Sequence, residues 1–398
     1  MTMSADARPA TGSHHLYVHV PFCRLVCAYC DFVTVGGRAA DIPRYVGALL
    51  RELGRVPTSG RLETVYFGGG TPSLLPAADV ARIVASAAAR WGSAPEEVTL
   101  EANPSAREAP NWPGLLAAGV NRVSLGVQSL RDADLRALAR GHTAAEARAA
   151  YRATRRAGFD NVSLDLIYGI PDQSLGAWRR TLRAAVGLGP DHLSLYALQL
   201  AMAPDEWAAP PRPGALRWRA RLAARQDDEM AAAQYHLAED VLDAAGYEHY
   251  ELSSWAQPGR RSRHNAAYWA RRPYTGIGAG AHSYDGAARR SWNTRDLDTY
   301  LAAVGAGRSP EGGHELLDDA TRAWEAVALG LRRIDGLDRR SFAAEFGRDP
   351  TVHYAAPVRE TLASGLLELD PWRLRLSAAG RLFASEALVP FLDGAAPA

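Results

Sequence analysis

Cys23, Cys27 and Cys30 fall within eight positions, and the 398-residue chain has no other cysteine. An odd, clustered count cannot complete a disulfide framework; it points to a metal or redox site in a reducing compartment. The spacing CxxxCxxC puts three thiolates on one loop. A [4Fe–4S] cubane ordinarily takes four cysteines, so three leave one iron open to a small-molecule ligand. Tetrahedral zinc is the alternative. It wants a fourth protein ligand and usually paired CxxC elements, and His19, which could supply one, falls inside a predicted strand.

Such a loop needs a frame. Six short β-like runs recur between Ala/Arg/Leu-rich segments of helical period: Leu16–Phe22, Thr64–Phe67, Glu97–Glu101, Arg122–Val127, Asn161–Ile167 and His192–Leu200. Repeated βα units predict an α/β fold, an open partial (β/α)6 barrel over 14–202, with functional groups on loops beyond the strands' C-terminal ends. Residues 1–13 read as a flexible N-terminus. A Pro-rich stretch, Ala203–Gly214, sets a soft boundary near Ala203. An α+β extension over 203–313 follows, with a long helix or helix pair in Ala215–Gly246, then strands and a glycine loop in Tyr247–Tyr284. Residues 314–398 read as helices, a hairpin in Gly365–Ser377 and a last helix, a small winged-helix-like region whose tail frays from Asp393 to Ala398.

Polar groups cluster at the ends of these runs. Gly68, Gly69 and Gly70 precede Thr71, so backbone amides could approach a ligand closely, and Thr71 or Ser73 could cap the next helix. Glu101, Gln128, Arg140 and Asp165 fall in or after successive runs. Carboxylates and amides accept from hydroxyls or an ammonium, and arginine pairs with a carboxylate. Each has an ordinary reading too: Glu101 as a helix cap, Arg140 on the surface, Gln128 at a strand edge. Asp165, between Leu164 and Leu166, is costly unless partnered.

The cysteine loop, with Tyr29 before its last cysteine, resembles the radical-SAM superfamily signature. The resemblance implies that S-adenosylmethionine (SAM) chelates the open iron and that an electron from the cluster cleaves it to a 5′-deoxyadenosyl radical, the protein's part being to orient SAM. From Leu16 to about Phe391 the motifs are similar to those of the family containing oxygen-independent coproporphyrinogen III oxidase and the HemW-like heme chaperones. Position by position, this implies cluster ligands at Cys23, Cys27 and Cys30, and SAM contacts at Tyr17, Gly69, Gly70, Thr71, Glu101, Gln128, Arg140 and Asp165. His264, Asn265, Tyr268 and Trp269 match an HNxxYW pattern that implies heme binding, imidazole ligating iron and aromatics covering the porphyrin. Without that pattern, a histidine after Arg260, Arg261, Ser262 and Arg263 reads as exposed or hydrogen-bonded. The loop Thr275–Ser283 resembles a second family signature, expected near the active-site opening with His282 as a further heme contact.

Two features divide the branches. The oxidase branch carries another cysteine two positions after the third and a longer N-terminal arm; here Phe32 stands at that position and 22 residues precede Cys23. Both favour the chaperone branch. It implies SAM binding and cleavage, uptake of heme, delivery to acceptor hemoproteins such as respiratory-chain enzymes, and a reductant protein for the cluster. The rival is a coproporphyrinogen III dehydrogenase decarboxylating propionates by SAM radical chemistry; a third reading is a metal-stabilised scaffold without SAM chemistry. One departure is Ala203–Trp207, where relatives usually carry a Pro-Gly-Thr turn.

A net charge of +1 gives no overall reason to expect nucleic acid or anionic membrane as partner. All 45 basic residues are arginine, scattered through predicted helices, and read as solvated faces. Met1–Ser13 lacks a signal-peptide core and no run approaches the roughly 20 apolar residues of a membrane span, so a cytoplasmic protein is expected.

Overall fold

A computed structural model describes residues 12–200 and 214–392. The expected boundary near Ala203, the departure at 203–207 and the tail from 393 to 398 lie outside the described residues.

The principal sheet has twelve strands among the described residues. In chain order they are β1 (Ser13–Val20), β2 (Arg61–Gly69), β3 (Glu97–Ala102), β4 (Arg122–Gln128), β5 (Val162–Tyr168), β6 (His192–Ala197), β7 (Glu248–Glu251), β8 (Ser254–Ala256), β9 (Tyr274–Ile277), β10 (His282–Tyr284), β11 (Arg289–Asn293) and β12 (Glu311–Leu316). Their spatial order is β12-β11-β10-β9-β1-β2-β3-β4-β5-β6-β8-β7. The six predicted runs are β1 to β6, all parallel. The structure adds a seventh parallel strand: β9 lies on the far side of β1, with Tyr17 opposite Gly276. The extension therefore contributes antiparallel strands to both ends of the sheet and a parallel one to its middle.

Alternation along β1 to β6 gives the sheet two unlike faces. Leu16, Val18, Val65, Phe67, Leu100, Leu125 and Leu164 point outward and are fully buried, in one core with Tyr45, Leu49, Ile83 and Trp178 of the covering helices. Each such burial is worth about 1.5–3 kcal/mol. The intervening positions, such as His15, Tyr17, Thr64, Tyr66, Thr99, Glu101, Arg122, Ser124 and Asp165, form a polar interior. Because all these strands run the same way, the interior has two ends: Gly69, Glu101 and Gln128 at the C-terminal mouth, His15, Thr64 and Glu97 at the N-terminal end.

The region predicted as one helix or a pair is two helices, Ala215–Ala223 and Asp228–Asp243. The predicted hairpin is present as Leu367–Leu369 and Arg373–Leu376, joined by Leu337–Asp338 into a three-stranded sheet. This sheet shares a second core with Val327, Phe342, Val358 and Phe391.

Candidate cofactor site and a buried histidine

Past Val20 the chain leaves the sheet at Pro21 and enters the cysteine loop, which is tied down from several sides. Val35 N–H donates to the Pro21 carbonyl at 2.8 Å, and Phe22–Cys23 pairs with Val35–Gly36. His19 Nε2–H donates to the Val33 carbonyl at 2.8 Å, while its Nδ1 accepts from the Tyr17 hydroxyl at 3.2 Å. The glycine loop after β9 packs where expected, at this mouth: a Cβ on Gly280 would lie 2.9 Å from Val33.

One residue the sequence reading missed holds the loop from below. Arg219, on the Ala215–Ala223 helix and only 6% exposed, donates to the carbonyls of Ala28 (2.8 Å) and Cys30 (3.1 Å) and to the Asp31 carboxylate (2.5 Å). Its flanks, Leu216 to Leu222, look like any solvated arginine-rich helix, so composition hid it.

The three thiols are free and partly exposed. Burial pushes Cys23 up to about 11 and Cys30 up to about 12. Losing these protons therefore needs a compensating positive centre, which bound iron supplies. Thr71 Oγ1 lies 3.6 Å from Cys23 Sγ, and Arg140 Nη1 donates to Cys27 Sγ at 3.0 Å. Among the described residues no three Cys, His, Asp or Glu side chains converge on a point that would hold a single ion. Three thiols on one loop fit three irons of a cubane, with the fourth left open.

Around this loop the structure gathers most of the expected SAM contacts. Arg140 also donates to Asn103 Oδ1 (3.3 Å) and the Gly126 carbonyl (2.9 Å). It is set by the turn before the Ala144–Arg156 helix, which begins with a capping box of Thr143 and Glu146. Gln128 holds φ of 64°, a left-handed conformation uncommon outside glycine, and a methyl on Gly126 would sit 3.0 Å from its amide and 3.6 Å from Arg140. Glu101 accepts from the Tyr66 hydroxyl at 2.8 Å and from Gly69 N–H at 3.1 Å. Asp165 accepts from the Ser124 hydroxyl at 3.0 and 3.1 Å. Burial holds Asp165 above the usual carboxylate range against the pull of Ser194, Ser124 and Arg122.

The glycine turn works differently from expectation. Gly69 N–H is bonded to Glu101, Gly70 N–H to the Val20 carbonyl (2.8 Å) and Thr71 N–H to the Phe22 carbonyl (2.8 Å). These amides are committed to the fold. The glycines are needed because the turn presses against β1: a Cβ on Gly70 would lie 2.7 Å from the Pro21 and Phe22 carbonyl oxygens.

Arg122, also unnoticed in the sequence, is 1% exposed in the polar interior. Its positive charge lowers Glu101 and Asp165 and also disfavours protonation of His192 and His264. Burial nevertheless raises Glu101 to about 7, with Asp165 adding to the rise. A carboxyl whose folded pKa exceeds its unfolded value near 4.5 binds more protons in the folded state. Stability is then lost as pH rises from about 4.5 to about 7, on the order of 3 kcal/mol. Glu101→Gln is expected to flatten this slope in urea melts at pH 5 and pH 8 while weakening SAM binding; an unchanged slope would contradict it.

Of the two ordinary readings of His264, exposed or hydrogen-bonded, the structure shows the second. The residue lies 1% exposed on the helix Arg263–Trp269, at the N-terminal end of the interior. Ser262 caps that helix, and the backbone N–H groups of Arg263 and His264 donate to the Glu97 carboxylate at 3.0 and 3.1 Å. The ring stacks on Tyr66 with centroids 5.0 Å apart. Its Nδ1 is 2.6 Å from Thr64 Oγ1 and its Nε2 2.9 Å from the Tyr268 hydroxyl. Tyr268 and Trp269 border a cavity of about 260 Å³ also lined by Arg271, Arg272, Tyr274 and Tyr284. His282 is elsewhere, on β10 beside Trp292 and within electrostatic reach of His19, so the structure does not bring it together with His264.

Residues 17–185 match the Radical SAM superfamily and residues 317–383 the HemN C-terminal domain. The heme chaperone HemW of Mycobacterium tuberculosis (strain ATCC 25618 / H37Rv) is 38% identical over 95% of this chain and 94% of its own length. The chain belongs to the HemW family. HemW of Escherichia coli (strain K12) is 34% identical, covering 95% of this chain and 97% of that one. Radical S-adenosyl methionine domain-containing protein 1, mitochondrial, of Bos taurus is 35% identical, with 97% and 89% covered. The solved coproporphyrinogen III oxidase (HemN) of Escherichia coli superposes with a TM-score of 0.80 over 97% of this chain and 91% of that one at 22% identity, which shows a shared fold. Membership of the Radical SAM superfamily brings a [4Fe–4S] cluster and SAM as cofactors. No helix among the described residues is long and apolar enough to cross a membrane.

Proposed function

We propose that this chain is a heme chaperone: it carries a [4Fe–4S] cluster on Cys23, Cys27 and Cys30, binds SAM at the barrel mouth, takes up heme and hands it to acceptor hemoproteins. The observation that carries the reading is the full-length similarity to proteins named heme chaperone HemW. Two structural features support it. Phe32, where the oxidase branch has a further cysteine, is 67% exposed on the loop. The HNxxYW helix, in turn, borders a cavity lined by Tyr268, Trp269, Tyr274, Tyr284, Leu329, three arginines and Glu325, whose aromatic faces suit a flat apolar ligand.

The cluster, when bound, supplies the electron for SAM cleavage. This chain's residues do the holding. Arg140 braces Cys27, Glu101 and Asp165 present carboxylates toward ribose hydroxyls or the ammonium, and Gln128 and Tyr17 complete the surround. Delivery is to respiratory-chain hemoproteins, in the cytoplasm, with a reductant protein feeding the cluster.

The test is anaerobic reconstitution with SAM and reductant, followed by addition of heme or of coproporphyrinogen III. Stable heme binding without protoporphyrinogen formation is expected. Turnover of coproporphyrinogen would sink the chaperone reading in favour of the dehydrogenase.

A further inference from the structure

The cavity beside the HNxxYW helix has two walls from different parts of the chain. One comes from that helix, the turn after it and strands β9 to β11; the other is Glu325 and Leu329 of the helix Asp319–Leu331. Those two side chains stand one turn apart, so a single face of the helix closes the cavity. The opposite face, through Ala323, Val327 and Leu331, belongs to the C-terminal core.

Arg290 of β11 joins the walls. Its Nη2 donates to the Glu325 carboxylate, and its Nη1 donates to Glu315, an exposed residue of β12, at 2.9 Å. Glu325 is only 9% exposed. Arg290 and Glu325 both line the cavity, and both act electrostatically on Tyr274, a third lining residue. The pair therefore sits at the cavity and not behind it. Arg271 differs: its partner at 3.0 Å is Glu345, which does not line the cavity.

Size points the same way. The cavity holds about 260 Å³, below the roughly 300–1,000 Å³ of sites that enclose drug-sized ligands. Heme needs more room than this. Withdrawal of the Glu325 and Leu329 face would enlarge the space and release the arginine in one movement.

We propose that Arg290 recognises a heme propionate and that Glu325 occupies the propionate's place until heme arrives. The exchange balances in charge. One carboxylate leaves Arg290 Nη2 as another takes it, Glu315 stays on Nη1, and Glu325 passes to water with the helix face that carries it. No proton moves. Guanidinium pairs as well with a propionate as with a glutamate, and the aromatic rings of the other wall cover the apolar macrocycle. Loading thus displaces a helix that is built into the C-terminal core. This rests on the reading of the chain as a heme chaperone and names the group that meets the edge of its cargo.

The experiment titrates heme and heme dimethyl ester, whose propionates carry no charge, into the reconstituted full chain. The native chain is expected to prefer heme, because only an ionised propionate can replace Glu325. Glu325→Gln keeps the shape but not the charge, and is expected to bind heme about tenfold more tightly than the native chain. Glu325→Ala should show the same gain, which guards against a packing effect of glutamine. Arg290→Gln should bind heme and ester alike. An ion pair that merely joins two parts of the fold predicts no gain in either Glu325 variant and no preference for heme over its ester, and either result overturns the proposal. If native chain and Glu325 variants bind heme equally, the exchange fails while the chaperone reading stands. If none of them binds heme, that reading fails and the exchange falls with it.

Discussion

Arg219→Met is expected to leave the purified chain with little iron and a weak cluster absorbance after reconstitution, although the fold survives. Methionine keeps the apolar stem against the neighbours but removes a charge that donates to two loop carbonyls and a carboxylate. Hydrogen bonds from a charged donor are worth about 1.5–3 kcal/mol each, so the net loss of even one shifts the ratio of docked to undocked loop by roughly one to two powers of ten. Arg219→Lys should recover only part of this, because a point charge cannot reach three acceptors as a planar fork does. Iron per chain and far-ultraviolet circular dichroism, measured together, separate a loop defect from unfolding. Full cluster occupancy in Arg219→Met would show that the cysteines order the loop unaided.

Gly69→Ala is expected to be among the most destabilising single substitutions in the chain. The native φ is 114°, where a side chain is strained, and a Cβ would lie 2.6 Å from the His19 ring. That ring cannot yield, since Val33 and Tyr17 hold its two nitrogens. Strain and overpacking together cost about 2–6 kcal/mol. Gly92→Ala is the control: its φ is 65°, at the end of a helix, with nothing within 4 Å, so about 1 kcal/mol is expected there. Urea unfolding of both variants checks the difference, and equal losses would refute the packing explanation.

The parts legible in the sequence were those written locally. The cysteine spacing names the cofactor, and strict alternation marks β1 to β6 because each strand has one apolar and one polar face. β9 was not legible. It is four residues long, contains a glycine, and owes its place to β1, more than 250 positions earlier. Whether His264 is exposed or hydrogen-bonded was open for a similar reason: its neighbours in sequence are arginines, whereas its burial depends on Glu97 and Thr64, each more than 160 positions away. The view of arginines as solvated faces fails at Arg219 and Arg122, whose partners also lie in distant elements. The inward positions of the strands carried the missing signal: polar side chains at His15, Tyr17 and His19, at Thr64 and Tyr66, and at Arg122 and Ser124 all share one face.

Tyr66 has a place in this interior that reaches beyond its own contacts. Its hydroxyl is bonded to Glu101 at the mouth, and its ring is stacked on His264 at the other end. A ligand that moves Glu101 and one that moves His264 therefore act on the same side chain. If SAM contacts Glu101 and heme contacts His264, as the family resemblance implies, then whatever factor SAM imposes on heme affinity through Tyr66, heme must impose on SAM affinity. Titrations run in either order would then measure the same coupling constant.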